Sequence, residues 1–315
     1  MLRLVATRTL FAFASLVVVS ALIFWCVEGL PGDAASRILG RDATPEGLAL
    51  LRHKLHLDLP AAQRYGEWLW HALRGDFGVS LAANRPVLDY VWSRAANTSE
   101  LAGLVLLLYT PLSIVLGIWT AISRGRAVDH IASILVILGM CVPEFVVGIV
   151  LIVVFALTLH WFPPLALIDR ADSIGSFLRM LFLPALTLTI AMTAYAVRMM
   201  RENLIDVLDS GYVQMARLKG LPRWRVLVRH ALPSALGPAI NVTALNIAWL
   251  MGGIVVVETV FSFPGLGRLL IDAIDLKDIP VILAVSLLLT AVYIFCNLVA
   301  DIAVLLLNPK LRHGV

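Results

Sequence analysis

Charge is scarce in this 315-residue chain: Asp, Glu, Lys and Arg make up only 15% of it, against 60% hydrophobic residues and a mean hydropathy of +0.90. That balance excludes an ordinary water-soluble domain, where about a quarter of the residues are charged. Cysteine is nearly missing as well. Cys26, Cys141 and Cys296 each fall inside an apolar run, which leaves neither a disulfide framework nor a spaced thiolate metal site. Of seven scattered histidines, only His53 and His56 share an i, i+3 helix face, and without Cys or carboxylate company they read as a solvated face. A Gly-Lys pair is also absent, since the four lysines follow His53, Leu218, Leu276 and Pro309. A phosphate-cradling P-loop needs that lysine beside backbone N–H groups. The chain therefore carries no ATP site of that kind, no catalytic set, no metal site and no cofactor of its own.

What is present is a series of long apolar runs: Thr9–Val27, Leu101–Ile122, Ile131–Leu159, Met180–Val197, Ile240–Val260 and Val281–Leu307. Leu101–Ile122 alone would be roughly 33 Å long as a helix, against a hydrocarbon core about 30 Å thick. The expected fold is an all-α integral membrane protein with six transmembrane helices, kinked at Pro143 and Pro184. The first run is longer than a signal-peptide core and lacks a clear small-x-small site, so it reads as an uncleaved span. Lys and Arg in short loops set the orientation. With the N-terminus inside, thirteen lie on the inner side and four in short outer loops, the other eight falling in the long segment after the first span. Both termini are then cytoplasmic. The net charge of +4 is explained by this topology, and no nucleic-acid partner is expected. The chain divides into 1–30 (tail and first helix), 31–98 (an outer subdomain), 99–307 (a five-helix core with a cytoplasmic loop at 198–233) and 308–315 (a tail).

The loop is the anomaly. Seven Lys and Arg lie between Arg198 and Arg229, and "YVQMARLKGLPRWRVLVRHALP" follows Gly211. On a helix, Tyr212, Met215, Ala216, Lys219 and Gly220 would gather on one face, with Ala216 and Gly220 allowing another surface to approach closely. Gly220 has a second reading, as a left-handed helix end before Leu221-Pro222. From local sequence alone, a basic helix lying on the membrane surface competes with a docking helix.

Polar residues inside the runs are candidates for a translocation path or gate. Glu144, placed about 20 Å into the third helix by the usual rise, either lines a route, hydrogen-bonds between helices beside the Pro143 kink, or is protonated or displaced. Asn297 and Asp301, four apart, and Asn241 and Asn246 are read either as interhelical hydrogen-bonders or as path residues. Glu258 and the following "FSFPGLG" form an outer gate or a structural turn. The halves show no inverted repeat of the kind many secondary transporters carry.

Several separated stretches, in order from about residue 10 to 312, resemble the ABC-importer permeases of the dipeptide, oligopeptide and nickel family. They are "LPGDAA", "LHLDLPAAQRYGEWLWHALRGDFGVSL", "NTSEL", "YVQMARLKGLPRWRVLVRHALPSALGP", "VVVETVFSFPGLGRLLIDAI" and "NLVADIAVLLLNPKLR". The loop resembles the family's "EAA" segment, although Asp209-Ser210-Gly211-Tyr212 and Met215 depart from the Glu-Ala-Ala pattern. The resemblance implies a multi-pass subunit of a bacterial inner membrane, with a coupling helix between the fourth and fifth spans formed by Tyr212, Met215, Ala216, Arg217, Lys219, Gly220 and Leu221. It implies a second homologous permease, two ATP-binding subunits holding ATP and Mg, and an extracytoplasmic substrate-binding protein. The implied solutes are di- or oligopeptides, with nickel chelates, glutathione or another small solute as alternatives. A secondary transporter, a channel and a membrane scaffold are the rival classes.

Overall fold

The computed structural model describes residues 2–40 and 43–307, and within that range the side chains of 2–9, 237–245, 248 and 300–307 lie outside the description. The described chain is helical, with one isolated antiparallel bridge between Val79 and Pro86. Its helices are α1 (Leu2–Glu28), α2 (Ala34–Leu39), α3 (Pro45–Lys54), α4 (Ala61–Ala72), α5 (Val87–Ile122), α6 (Ala127–Cys141), α7 (Glu144–Leu151), α8 (Ile174–Leu208), α9 (Gly211–Leu218), α10 (Arg223–Val226), α11 (Leu232–Val260), α12 (Leu266–Leu276) and α13 (Ile279–Leu307).

Four of these are long and apolar enough to cross a bilayer among the described residues: Leu10–Glu28 within α1, α5, α8 and Ile279–Val299 within α13. The run expected as one helix, kinked at Pro143, over Ile131–Leu159 is broken there. The pair Ala127–Cys141 and Glu144–Thr158 is bent by 105° at Val142-Pro143, and counts as a fifth span only if taken as one. Pro143 lacks an N–H and pushes Val142 to an extended backbone (φ −89°, ψ 122°), so α6 stops there. Beyond α7, Ile152–Thr158 is π-helical. Of the run Ile240–Val260, inside α11, only Trp249–Val260 qualifies as an apolar helix among the described residues. The helix α8, by contrast, continues through Pro184.

The chain forms two compact units. One comprises Met1–Ser99 with Pro264–Ile294, so the early segment 31–98 is grouped with α1, α12 and the first half of α13. Its core gathers Val27, Val87, Val91, Leu266, Leu269, Val281, Ile282 and Val285. Asp33 caps α2 by accepting from Ser36 N at 2.9 Å, and its other carboxylate oxygen pairs with Arg52 Nε of α3 at 2.6 Å. The α12–α13 turn is held from two directions. Lys277, buried with φ 53°, donates its ammonium to the carbonyls of Leu30 and Gly32. Asp278 Oδ2 accepts from Ser80 Oγ at 2.5 Å and Ala82 N at 3.2 Å. Burial holds the Lys277 ammonium below its ordinary pKa, with the Glu28 carboxylate opposing.

The other unit comprises Glu100–Phe263 with Phe295–Val315. Here α8 is the central helix, packed by α11, α6 and α7. Fourteen of its residues are buried, among them Leu181, Leu183, Leu188, Met192 and Leu204. Around them lie Leu101, Val105, Tyr109, Leu250, Ile254, Phe261 and Phe263. Small residues permit the closest approaches: a Cβ added at Gly117 would sit 2.6 Å from Met200 Cβ and Cγ.

Candidate functional site

Two features of the second unit bear on function: the polar hairpin after α8 and a cavity at the α6–α7 break. The hairpin is anchored through one side of α9. Val213 and Ala216 are buried in a cluster with Ala121, Met200, Leu204, Val226 and Ala231, and Leu221 packs against it. The opposite side carries apolar groups that the chain itself does not cover. Tyr212 is 49% exposed, Met215 54%, Leu218 81% and, from α10, Trp224 64%. Arg217, Lys219, Arg223 and Arg225 are exposed around them. Tyr212 OH donates to His230 O at 3.3 Å, which ties α9 to the segment returning toward α11.

This geometry corrects the expected small-residue face. Ala216 points into its own unit, and Leu221 is half-buried with it. Gly220 is not on the helix face at all, because α9 ends at Leu218. Gly220 has φ +75°, its N–H donates to Arg217 O at 3.0 Å, and Leu221 N donates to Ala216 O at 3.4 Å. Those two bonds, with Leu221 packed against the cluster that holds Ala216, form a Schellman helix end, so the glycine serves the left-handed turn. A Cβ added there would meet nothing within 4 Å of the chain. Extrapolating helical spacing from Ala216 to Gly220 fails because the backbone leaves the helix between them. Tyr212 and Met215, expected on the docking face, are exposed; Leu218, at i+3 from Met215, and Trp224 are the part of the apolar surface the spacing argument missed.

The cavity, about 500 Å³, is lined by Gly139–Glu144, Ala191, Met192, Tyr195, Asn246 and Trp249. The break positions Glu144 differently from the sequence expectation. Instead of lying part-way along one helix kinked at Pro143, it is the first residue of α7, half-buried, after Pro143 at the N-cap. It forms no hydrogen bond or ion pair among the described residues, so the interhelical bond considered for it is not seen among them. Asn246 is buried, and its amide donates to Tyr109 OH at 2.8 Å. The cavity thus unites two of the six path candidates. Glu258 lies fully buried in the last turn of α11 and its carbonyl accepts from Phe263 N at 2.8 Å; Asn297 is half-buried in α13. Neither lines the cavity. The side chains of Asn241 and Asp301 lie outside the described residues.

Sequence reasoning also missed the ion pair at the other end of α6. Asp129, buried, accepts from Arg201 Nε at 2.7 Å and Arg201 Nη2 at 2.8 Å, and its Oδ2 also accepts from Gly125 N at 3.0 Å. Beside it, Arg124 Nη1 donates to Asp209 Oδ2 at 2.7 Å. The first turn of α6 and the α5–α6 turn are thereby fastened to the end of α8 that leads into α9.

Comparisons with known proteins place the chain in a family. The model of the binding-protein-dependent transport system inner membrane component matches residues 113–313, and that of its N-terminal region matches residues 1–103. The chain is 36% identical over 313 residues to the glutathione transport system permease protein GsiC of Escherichia coli (strain K12), covering 99% of this chain and 100% of that protein. The same figures hold for GsiC of Salmonella typhi and of Salmonella choleraesuis (strain SC-B67). With both family models and full-length relatives matching in order, the chain belongs to the binding-protein-dependent transport system inner membrane components, the ABC-importer permeases of the peptide and nickel family.

Proposed function

We propose that this permease forms, together with a second, homologous permease, the path by which short peptides cross the membrane, with the tripeptide glutathione among the solutes. A substrate-binding protein delivers the solute from outside. Two ATP-binding subunits, which hold ATP and Mg, dock on the hairpin from the cytoplasm, where both termini of this chain also lie. The observation that carries the reading is the hairpin's division of labour. Val213, Ala216 and Leu221 fasten it to its own unit, while Tyr212, Met215, Leu218 and Trp224 offer an uncovered apolar surface ringed by Arg217, Lys219, Arg223 and Arg225. An isolated membrane-surface helix would not need so firm a fastening to α8.

The cavity at the α6–α7 break supplies this chain's share of the path, with Glu144 and Asn246 as its polar groups. ATP binding moves the docked subunits, and α9 passes the displacement to α8. Access then alternates between the two sides. The test is ATP-dependent accumulation of short peptides and glutathione in vesicles containing the purified complex and its binding protein. A double change, Leu218→Asp with Trp224→Asp, should abolish uptake and release the ATP-binding subunits while the spans remain inserted. Full uptake by that variant, or no ATP-dependent accumulation by the unaltered complex, refutes the reading.

A further inference from the structure

We infer that the cavity at the α6–α7 break is a cation-selective station, in which the Glu144 carboxylate takes the primary ammonium group of the passing solute. This rests on the reading of the cavity as part of the path. Four observations support it.

First, among the described residues Glu144 is the one carboxylate of the lining, and none of those lining residues is a Lys, Arg or His that would neutralise it. Second, it is half-buried and accepts no hydrogen bond from the described chain, so its lone pairs remain available to a ligand. A carboxylate within an apolar helical bundle is costly, by about 2.5–3.5 kcal/mol on insertion scales, and such residues commonly mark routes for polar solutes. Third, Tyr195 and Trp249 contribute aromatic surface to the same cavity, and aromatic faces attract ammonium groups. Fourth, about 500 Å³ falls within the usual range of small-molecule sites and leaves room for more than a bare ion. Asn246, whose amide nitrogen donates to Tyr109, is uncharged and cannot neutralise an ammonium as the Glu144 carboxylate can.

Cys141, also in the lining and exposed, provides a built-in reporter. The experiment uses the assembled complex in lipid nanodiscs, with Cys26→Ser and Cys296→Ser in this chain. The rate at which the Cys141 peptide is modified is followed by mass spectrometry. Two probes are compared: 2-aminoethyl methanethiosulfonate, which carries a primary ammonium, and its anionic 2-sulfonatoethyl counterpart. The expected result is preferential reaction with the cationic probe. That preference should fall by roughly tenfold in Glu144→Gln and be largely kept in Glu144→Asp, because a unit charge in the same cavity acts in opposite senses on the two probes. Retention of the ATP-binding subunits on purification checks that the variants assemble. An unchanged preference in Glu144→Gln overturns the inference, as does a Cys141 that reacts with neither probe. Labelling requires no ATP, so this failure is distinguishable from failure of the importer reading, which is decided by ATP-dependent uptake.

Discussion

Removing the Asp129–Arg201 pair tests the account of how α6 is fixed to α8. The perturbation is a double-mutant cycle of Asp129→Asn, Arg201→Gln and the two together. Asp129 is 4% exposed at its side chain and receives both Arg201 nitrogens, while Arg201 is 26% exposed. Breaking a fully buried pair by removing one partner costs about 3–5 kcal/mol, and charge-assisted hydrogen bonds are worth about 1.5–3 kcal/mol. Arg201 keeps some access to its surroundings, so the expected coupling energy lies below the fully buried figure, at about 2–3 kcal/mol. Arg198–Glu202 is the internal control. Its side chains are 52% and 47% exposed, and an i, i+4 pair of that kind should couple by about 0.3–0.5 kcal/mol.

Equilibrium unfolding in mixed detergent micelles measures both cycles. The ordering is the essential result, with Asp129–Arg201 well above Arg198–Glu202. Coupling energies that are equal within error would mean that the buried pair does not clamp α6 to α8. A second signature separates the hydrogen bonds from mere opposite charge. Arg201→Lys keeps the charge but loses the two-pronged geometry, so it should recover less than half of the coupling.

At Gly220, the left-handed turn predicts that Asn is tolerated better than Ala, with Ala costing about 1 kcal/mol in thermal stability; Ala performing as well as Asn would refute the helix-end assignment. Gly117→Ala should destabilise the second unit by about 1–3 kcal/mol, because the new methyl overlaps Met200, and Met200→Ala should partly restore it in a thermal-stability assay. Single cysteines introduced at Ala61 and Gln214 in a Cys-free chain should be labelled from outside and protected from it, respectively; the reverse pattern refutes both the orientation and the docking side. Lys277 has a pKa lowered from 10.5 by burial, so the unfolded chain binds more protons as pH rises through that interval. Stability should therefore increase toward pH ~10, with a smaller increase in Lys277→Gln, and an equal pH response would show that burial at Lys277 is not the cause.

The apolar runs were legible because crossing a bilayer imposes a minimum length that few charged residues can interrupt. The basic stretch was legible for the complementary reason, since it interrupts them. Less visible was which side of α9 faces inward. Val213 and Ala216 recur at i, i+3, and so do Met215 and Leu218, so spacing defines two faces without identifying the packed one. That choice depends on Met200, Leu204 and Ala121, which lie far away in sequence. The Asp129–Arg201 pair was hidden by the same distance, because its residues are 72 positions apart and neither forms part of a local pattern.

Glu144 shows how much turns on whether a helix is kinked or broken. A depth of about 20 Å follows only if the helical rise runs on across the kink expected at Pro143. A 29-residue apolar run would extend roughly 44 Å, well beyond a hydrocarbon core of about 30 Å, so its length already argued against one straight span. The proline locates the failure, and the 105° bend changes what the carboxylate can do. In a continuous helix Glu144 would have belonged to a lateral face and its natural partner would have been a neighbouring helix. At the start of α7 it opens instead onto a cavity shared with α8 and α11, beside backbone N–H groups that favour a carboxylate at a helix start. The same break separates α6 from the π-helical stretch beyond α7, leaving α6 as a 15-residue rod with the Asp129 clamp in its first turn and the cavity at its far end. The chemistry assigned to Glu144 thus depends on the backbone rule at Pro143 more than on hydropathy, and a chain in which Pro143→Ala restored a straight helix would lose the cavity before it lost the span.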